Sequence, residues 1–217
     1  MTKLDIFSDP VCPWCMIGKA HLDRALAAHP EHVFEIEWHP FQLNPGMPPQ
    51  GVDRAEYLAA KFGGQDGAVS VYARVEEAAA AAGVLIDFSR IKIMPNTFDA
   101  HRMIYWAGLE GKQTAMISAI FRAYWQEERD IGNAASLAAI AGEIGLDSAA
   151  MARLLASDAD RGALQARETH ARERGVNAVP TFVIANQYVV SGAQPPEVWG
   201  QVIEELSAQL TTRPTLI

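Results

Sequence analysis

The chain has two cysteines, and both fall in one tetrapeptide, Cys12-Pro13-Trp14-Cys15, set between a strand-like run and a helix-like run. That placement constrains the fold more than any other feature. Leu4, Ile6 and the following Phe7-Ser8 read as a short strand that stops at Asp9-Pro10. After the tetrapeptide, Ile17, Ala20, Leu22, Ala25 and Leu26 recur at helical spacing, and the run ends near Ala28-His29-Pro30. Two thiols this close together can join as a disulfide and reopen, which moves two electrons. At a helix N-terminus, unpaired N–H groups and the macrodipole favour a thiolate on the first cysteine. The thiolate is the species that attacks disulfides.

A second strand follows, through Val33, Phe34, Ile36 and Trp38, closed by Pro40 and the loop Asn44 to Gly51. This strand–helix–strand unit has the length that a right-handed crossover requires. From about Val52 to Gly175 the texture changes to alanine-rich helix with charged outer faces. Helices read as Glu76 to Ala82, Thr97 to Glu110, Lys112 to Glu128, Ala134 to Ile144, and Ser148 to Arg174. The last contains Gly162 and reads as one kinked helix or two. Strands then return as Thr181–Ile184 and Tyr188-Val189-Val190, with a turn expected at Asn186-Gln187. Pro195-Pro196 opens a final helix that runs to about Leu210, and Arg213 to Ile217 reads as a loose tail.

The expected organisation is therefore a βαβ half at 1–51, a helical insertion at 52–175 and a ββα half at 176–217. A βαβ unit plus a ββα unit is the thioredoxin fold. The expectation is an α/β thioredoxin fold with a large α-helical insertion between its halves and a cleft between the two parts.

Composition narrows the functional classes. At 217 residues and 49% hydrophobic content, the chain can bury a full core. Its net charge of −8, with no lysine- or arginine-rich block, argues against nucleic acid as a partner. No run approaches the roughly 18 uncharged apolar residues that a membrane helix needs. Aspartates at positions 5 and 9 interrupt the place of a secretory apolar segment, so the expected compartment is the cytoplasm. There a CxxC is catalytic or metal-binding rather than structural. A zinc site would need His21 and another histidine or carboxylate beside the two cysteines, so no metal is expected.

Five ordered blocks carry a resemblance to a known family. They are Ser8-Asp9-Pro10-Val11-Cys12-Pro13-Trp14-Cys15-Met16-Ile17-Gly18-Lys19, Pro40-Phe41-Gln42-Leu43-Asn44-Pro45, Asn96-Thr97 with Ala100-His101-Arg102, Val176 to Ile184, and Ser191-Gly192-Ala193-Gln194-Pro195. Together they resemble the DsbA-family, FrnE-like thiol–disulfide oxidoreductases. The resemblance implies that Cys12 is the nucleophile, that Cys15 is the resolving thiol, and that Pro13-Trp14 tunes the redox potential. It also implies a cis-proline at Pro180 facing the CxxC, with the backbone of Val179 pairing with a substrate chain by β-augmentation. The plainer alternative for Pro180 is a trans-proline beginning an edge strand. Pro13, Trp14, Val179 and Pro180 are thus the expected substrate-binding residues. The implied partners are protein or small-molecule thiols and disulfides, with no bound cofactor and with glutathione as an admissible co-substrate. Oligomeric state is left open.

Two alternatives stand beside this reading. The 2-hydroxychromene-2-carboxylate isomerases and kappa-class glutathione transferases share the architecture, but usually carry serine where Cys12 stands. A holdase-like chaperone would use the apolar cleft and an edge strand without the thiols.

One expected part is missing. Relatives often bury an acid six positions before the first cysteine, and here that position is Ile6. Asp5 and Asp9 lie on either side; strand alternation turns Asp5 to the opposite face unless a β-bulge returns it, and His39 and water are other conceivable acceptors, so the proton acceptor is unassigned. Trp14, Phe41, Asn96, His101 and Arg102 are candidates to line the cleft. The plainer reading of His101 and Arg102 is a solvated helix face, capped by Asn96 or Thr97 with Asp99 in the first turn. Phe121, Tyr124 and Trp125 read as core, and His21, His29, His32 and His170 as surface.

Overall fold

Alternating side chains organise the centre of the sheet, in a computed structural model that describes residues 1–212. Strand β1 (Thr2–Ser8) buries Leu4, Ile6 and Ser8 on one face and turns Asp5 and Phe7 to the other. Helix α1 (Pro13–Ala28) crosses over to β2 (Phe34–Pro40), which lies parallel to β1 in the register Leu4↔Ile36 and Ile6↔Trp38. On its other side β1 pairs antiparallel with β5 (Thr181–Ile184), and β5 pairs with β6 (Tyr188–Ser191), giving the order β2-β1-β5-β6.

Helix α9 (Pro196–Thr212) packs against α1 and sets Trp199 on Phe182, with ring centres 4.7 Å apart. The β5–β6 turn falls one residue earlier than expected. Ala185 and Asn186 take φ of 53° and 56°, and Gln187 N–H closes on Ile184 C=O at 3.0 Å. Both central residues of such a turn must enter the left-handed region, which fits the twist of the flanking strands.

The remaining elements lie between β2 and β5 in the chain: β3 (Val52–Asp53), α2 (Arg54–Phe62), α3 (Gln65–Ala81), β4 (Ile93–Met94), α4 (Phe98–Leu109), α5 (Gln113–Trp125), α6 (Ala134–Glu143), α7 (Ser148–Leu155) and α8 (Arg161–Glu173). Several differ from expectation. The helix read as Glu76 to Ala82 begins at Gln65, and a separate α2 precedes it. Gly63 and Gly64, at φ 74° and 112°, separate the two. Helix α5 stops at Trp125, short of Glu128, which itself sits at φ 59°. The span Ser148 to Arg174 is two helices, and the break falls at 156–160 rather than at Gly162.

The break has a physical cause: the fully buried Arg102 guanidinium collects the carbonyls of Leu154, Leu155, Ser157 and Ala159 there. Phe121, Tyr124 and Trp125 are buried, as expected, in a continuous apolar core that also takes in Leu4, Ile6 and Ile17. Among the described residues no helix is long and apolar enough to cross a membrane. The expected tail at Arg213 to Ile217 lies outside the described residues.

Candidate active site

The end of β1 delivers the CxxC to the sheet edge through a tight turn. Cys12 N–H donates to the Asp9 carbonyl at 2.9 Å, and Val11 N–H reaches the Asp9 carboxylate at 3.4 Å. Cys12 is the N-cap of α1 and Pro13 follows at the first helical position, where its missing N–H costs nothing. The start of β5 arrives next to it. The Val179–Pro180 peptide is cis, and the Cys12 thiol donates to the Val179 carbonyl at 3.5 Å. Gly18 permits the approach, since a Cβ there would lie 3.1 Å from Pro180 Cγ.

Both thiols are free and buried, Cys12 at 4% exposure and Cys15 at 1%. Cys12 is the more exposed of the pair, but only through a cleft of about 260 Å³ that it shares with Trp14, Leu43, Tyr57, Tyr72 and Val179. Trp14, 39% exposed, stands in this cleft as expected. Burial pushes the Cys15 thiol well up, and Cys12 adds to this. The Asp9 backbone N–H and the Ser8 hydroxyl act the other way by favouring the thiolate.

Other candidates fall elsewhere. Phe41 is core rather than cleft, under the Arg172 guanidinium at 4.0 Å from its ring centre. Asn96 ties two segments together, donating to Met47 C=O at 2.6 Å and accepting from Phe98 N–H at 2.9 Å. His101 and Arg102 are buried, not solvated, which overturns the plainer reading of that helix face. Alternation does turn Asp5 away from the cysteines. Its Oδ1 meets His39 Nε2 at 2.6 Å and Lys3 Nζ at 3.0 Å, beside a separate cavity of about 480 Å³ on the α8 side of the sheet. Asp5 and His39 are therefore excluded as proton acceptors for the thiols. Asp5, Glu37 and His39 could gather on a cation, but the Lys3 ammonium already bridges the two carboxylates at 3.0 and 2.9 Å. His21, the conceivable zinc ligand, is half-buried with Nδ1 3.0 Å from the Gln194 carbonyl.

Asp9, named from the sequence only as a neighbour of the Ile6 position, turns out to be a buried carboxyl. It is fully buried, accepts from Leu43 N–H at 2.7 Å, and is raised by burial to about 7 despite its backbone donors. His101 Nε2 stands 3.8 Å from Asp9 Oδ1, and burial lowers this imidazole to about 3. The signal was in the sequence: an aspartate in the turn leading into a helix accepts N–H groups that the turn leaves free.

A family model described as "DSBA-like thioredoxin domain" matches residues 3–204. YwbO of Bacillus subtilis (strain 168) is 30% identical over 207 residues, 93% of this chain and 96% of its own. The crystal structure of a probable DsbA oxidoreductase, SCO1869 of Streptomyces coelicolor, superposes with a TM-score of 0.86 at 32% identity, covering 100% of this chain and 93% of that one. The cytosolic disulfide reductase DsbM of Pseudomonas aeruginosa shares the fold at 21% identity and TM-score 0.68, covering 97% of this chain and 100% of that one. DsbM has also been solved with GSH.

Proposed function

The chain belongs to the DSBA-like thioredoxin family, and from that membership we propose that it is a thiol–disulfide oxidoreductase working through a Cys12/Cys15 couple. The observation that carries the proposal is the meeting of Cys12 Sγ, at the N-cap of α1, with the carbonyl before cis-Pro180 at 3.5 Å. In the reducing direction the Cys12 thiolate attacks a substrate disulfide, forms a mixed disulfide and releases the first substrate thiolate. Cys15 then attacks the Cys12 sulfur, forming the Cys12–Cys15 disulfide and releasing the second. Two electrons pass to the substrate. The same steps in reverse oxidise a substrate dithiol. Trp14 and Pro13 contact the substrate at the mouth, and the Val179–Pro180 backbone aligns an extended chain beside the sulfurs.

The DsbM structure with GSH supports glutathione as a small co-substrate of this site. Confinement of both cysteines to one motif supports a cytosolic setting. The isomerase and transferase reading is disfavoured by the presence of Cys12 where those enzymes usually carry serine.

The test is reduction of insulin by the wild type, Cys12→Ser and Cys15→Ser. Cys12→Ser is expected to be inactive, and Cys15→Ser to accumulate mixed disulfides. Full activity in Cys12→Ser would overturn the dithiol mechanism. Client binding that survives loss of both thiols, without reduction, would point to the chaperone instead.

A further inference from the structure

The cavity of about 480 Å³ on the α8 side of the sheet takes no part in the thiol cycle. Its floor is the sheet face that carries Asp5 and Phe7, opposite the face that buries Leu4 and Ile6. Val176 and Asn177, in the segment that leads to cis-Pro180, close one end. The floor is largely apolar, with Phe7, Val183 and Val189 contributed by β1, β5 and β6. His39 stacks on Phe7 with ring centres 5.0 Å apart. Val189 is 65% exposed, so this apolar surface stands open to solvent. A cavity of this size suits a small organic molecule.

The facing wall is charged. Helix α8 sets Arg167, His170, Ala171 and Arg174 at i, i+3, i+4 and i+7, which puts all four on one helix face. The two carboxylates of the cavity are already paired. Asp5 meets Lys3 at 3.0 Å and His39 at 2.6 Å, while Glu37 meets Lys3 at 2.9 Å and Arg167 at 3.2 Å. The side chains of His170 and Arg174 make no hydrogen bond or ion pair among the described residues. Three permanent cations, Lys3, Arg167 and Arg174, thus face two carboxylates, and the surplus charge sits on Arg174. On a chain of net charge −8, such a wall draws an anion that the rest of the surface repels. A guanidinium offers parallel N–H groups to a carboxylate or sulfonate. Asp5 and Glu37 nearby oppose a second negative charge, which favours a ligand with a single anionic group.

We propose that this cavity is a binding site for a small organic acid with one carboxylate or sulfonate and an aromatic or branched apolar body. The apolar body lies on Phe7, Val183 and Val189, and the anionic group meets Arg174 with the His170 ring beside it. Covering Val189 and Phe7 removes apolar surface from water, and Arg174 fixes the orientation. The site needs neither thiol, so it stands apart from the Cys12/Cys15 couple.

The fluorescent anion anilinonaphthalenesulfonate has this make-up, and phenylnaphthylamine is the same body without the sulfonate. Wild type and Cys12→Ser should each bind one equivalent of the sulfonate with the same affinity. Arg174→Glu should weaken that binding by about tenfold or more, and change the neutral probe by less than about twofold. Val189→Asp, at an exposed position, should weaken both probes. Sulfonate affinity that is unchanged in Arg174→Glu would overturn the inference. So would binding lost in Trp14→Glu but kept in Val189→Asp, which places the probe in the Cys12 cleft. Arg174 is exposed and lies outside that cleft, so Arg174→Glu should reduce insulin at the wild-type rate. A wild type that binds the sulfonate at this site yet reduces no insulin would overturn the dithiol reading alone.

Discussion

The carboxyl of Asp9 and Nε2 of His101 face each other at 3.8 Å inside the protein, and burial moves their proton affinities in opposite directions. The folded pair therefore exchanges roles with its unfolded counterpart. In the unfolded chain, between the ordinary values of 3.8 and 6.5, aspartate is ionised and histidine carries the proton. In the folded chain Asp9 carries it and His101 does not. Each state binds one proton, so the two contributions to the pH dependence of stability cancel in that window.

Removing either partner should expose the other. In Asp9→Asn only His101 remains, with a folded value of about 3 below its unfolded 6.5. Stability should then rise with pH from about 3 to 6.5, by up to about 1.4 kcal/mol per unit. In His101→Gln only Asp9 remains, raised to about 7 from 3.8, so stability should fall as pH rises through that range. Urea unfolding across the pH range measures both slopes. Equal slopes in the two variants would refute the assignment.

Arg102 is a structural cation. It lies fully buried, donates to four carbonyls around 154–159, and pairs with Asp99 at 2.9 Å. Arg102→Ala removes the guanidinium from those carbonyls, of which Leu154 keeps the Ser157 N–H and hydroxyl, and should cost about 3 kcal/mol or more of unfolding free energy. Lysine should rescue little, because it lacks the planar fork that reaches several acceptors. Where the variant stays folded, insulin reduction should keep its wild-type rate.

Gly18 sets the distance between α1 and Pro180. Valine there would drive a side chain into Pro180 Cγ and the Ala193 backbone, which a Cβ alone would meet at 3.1 and 3.4 Å. Gly18→Val should lower kcat/KM for insulin reduction by about 100-fold, by misaligning the substrate chain with Cys12. Wild-type turnover in this variant would show that the close approach is dispensable.

Trp14 is 39% exposed in the cleft that Cys12 shares. Trp14→Ala should change stability by no more than about 0.5 kcal/mol, as expected for a surface side chain. It should reduce kcat/KM for a peptide disulfide by about tenfold through lost aromatic contact. Comparable turnover of a peptide and of a small aryl disulfide would place the contact elsewhere.

The sheet and its adjoining helices were legible because their patterns are local. Alternation marks β1, β2 and β5, and the CxxC marks the start of α1. The pairs Val52↔Met94 and Asp53↔Ile93 were not, since two-residue strands carry no period. The boundary between α2 and α3 had its signal in Gly63-Gly64, but the alanine-rich texture on either side masked it. His101 and Arg102 looked solvated because polarity alone cannot reveal a partner at a distance. Their partners come from Asp9 and from carbonyls more than 50 positions along the chain. The burial of Asp9 was not legible, because the turn after β1 carries no alternation to show that its carboxyl reaches inward.

The register that joins Phe7 to Thr181 has a consequence for biosynthesis. Cys12 and Val179 are separated by 167 positions, so the first cysteine leaves the ribosome long before the strand that completes its surroundings. At about 5–20 residues per second, the interval is roughly 10 to 30 s. Throughout it, the thiols sit on a nascent chain that lacks the wall made by Pro180 and the strand after it. The sulfurs therefore meet the wall made by Val179 and Pro180 only after a further 167 residues have been translated.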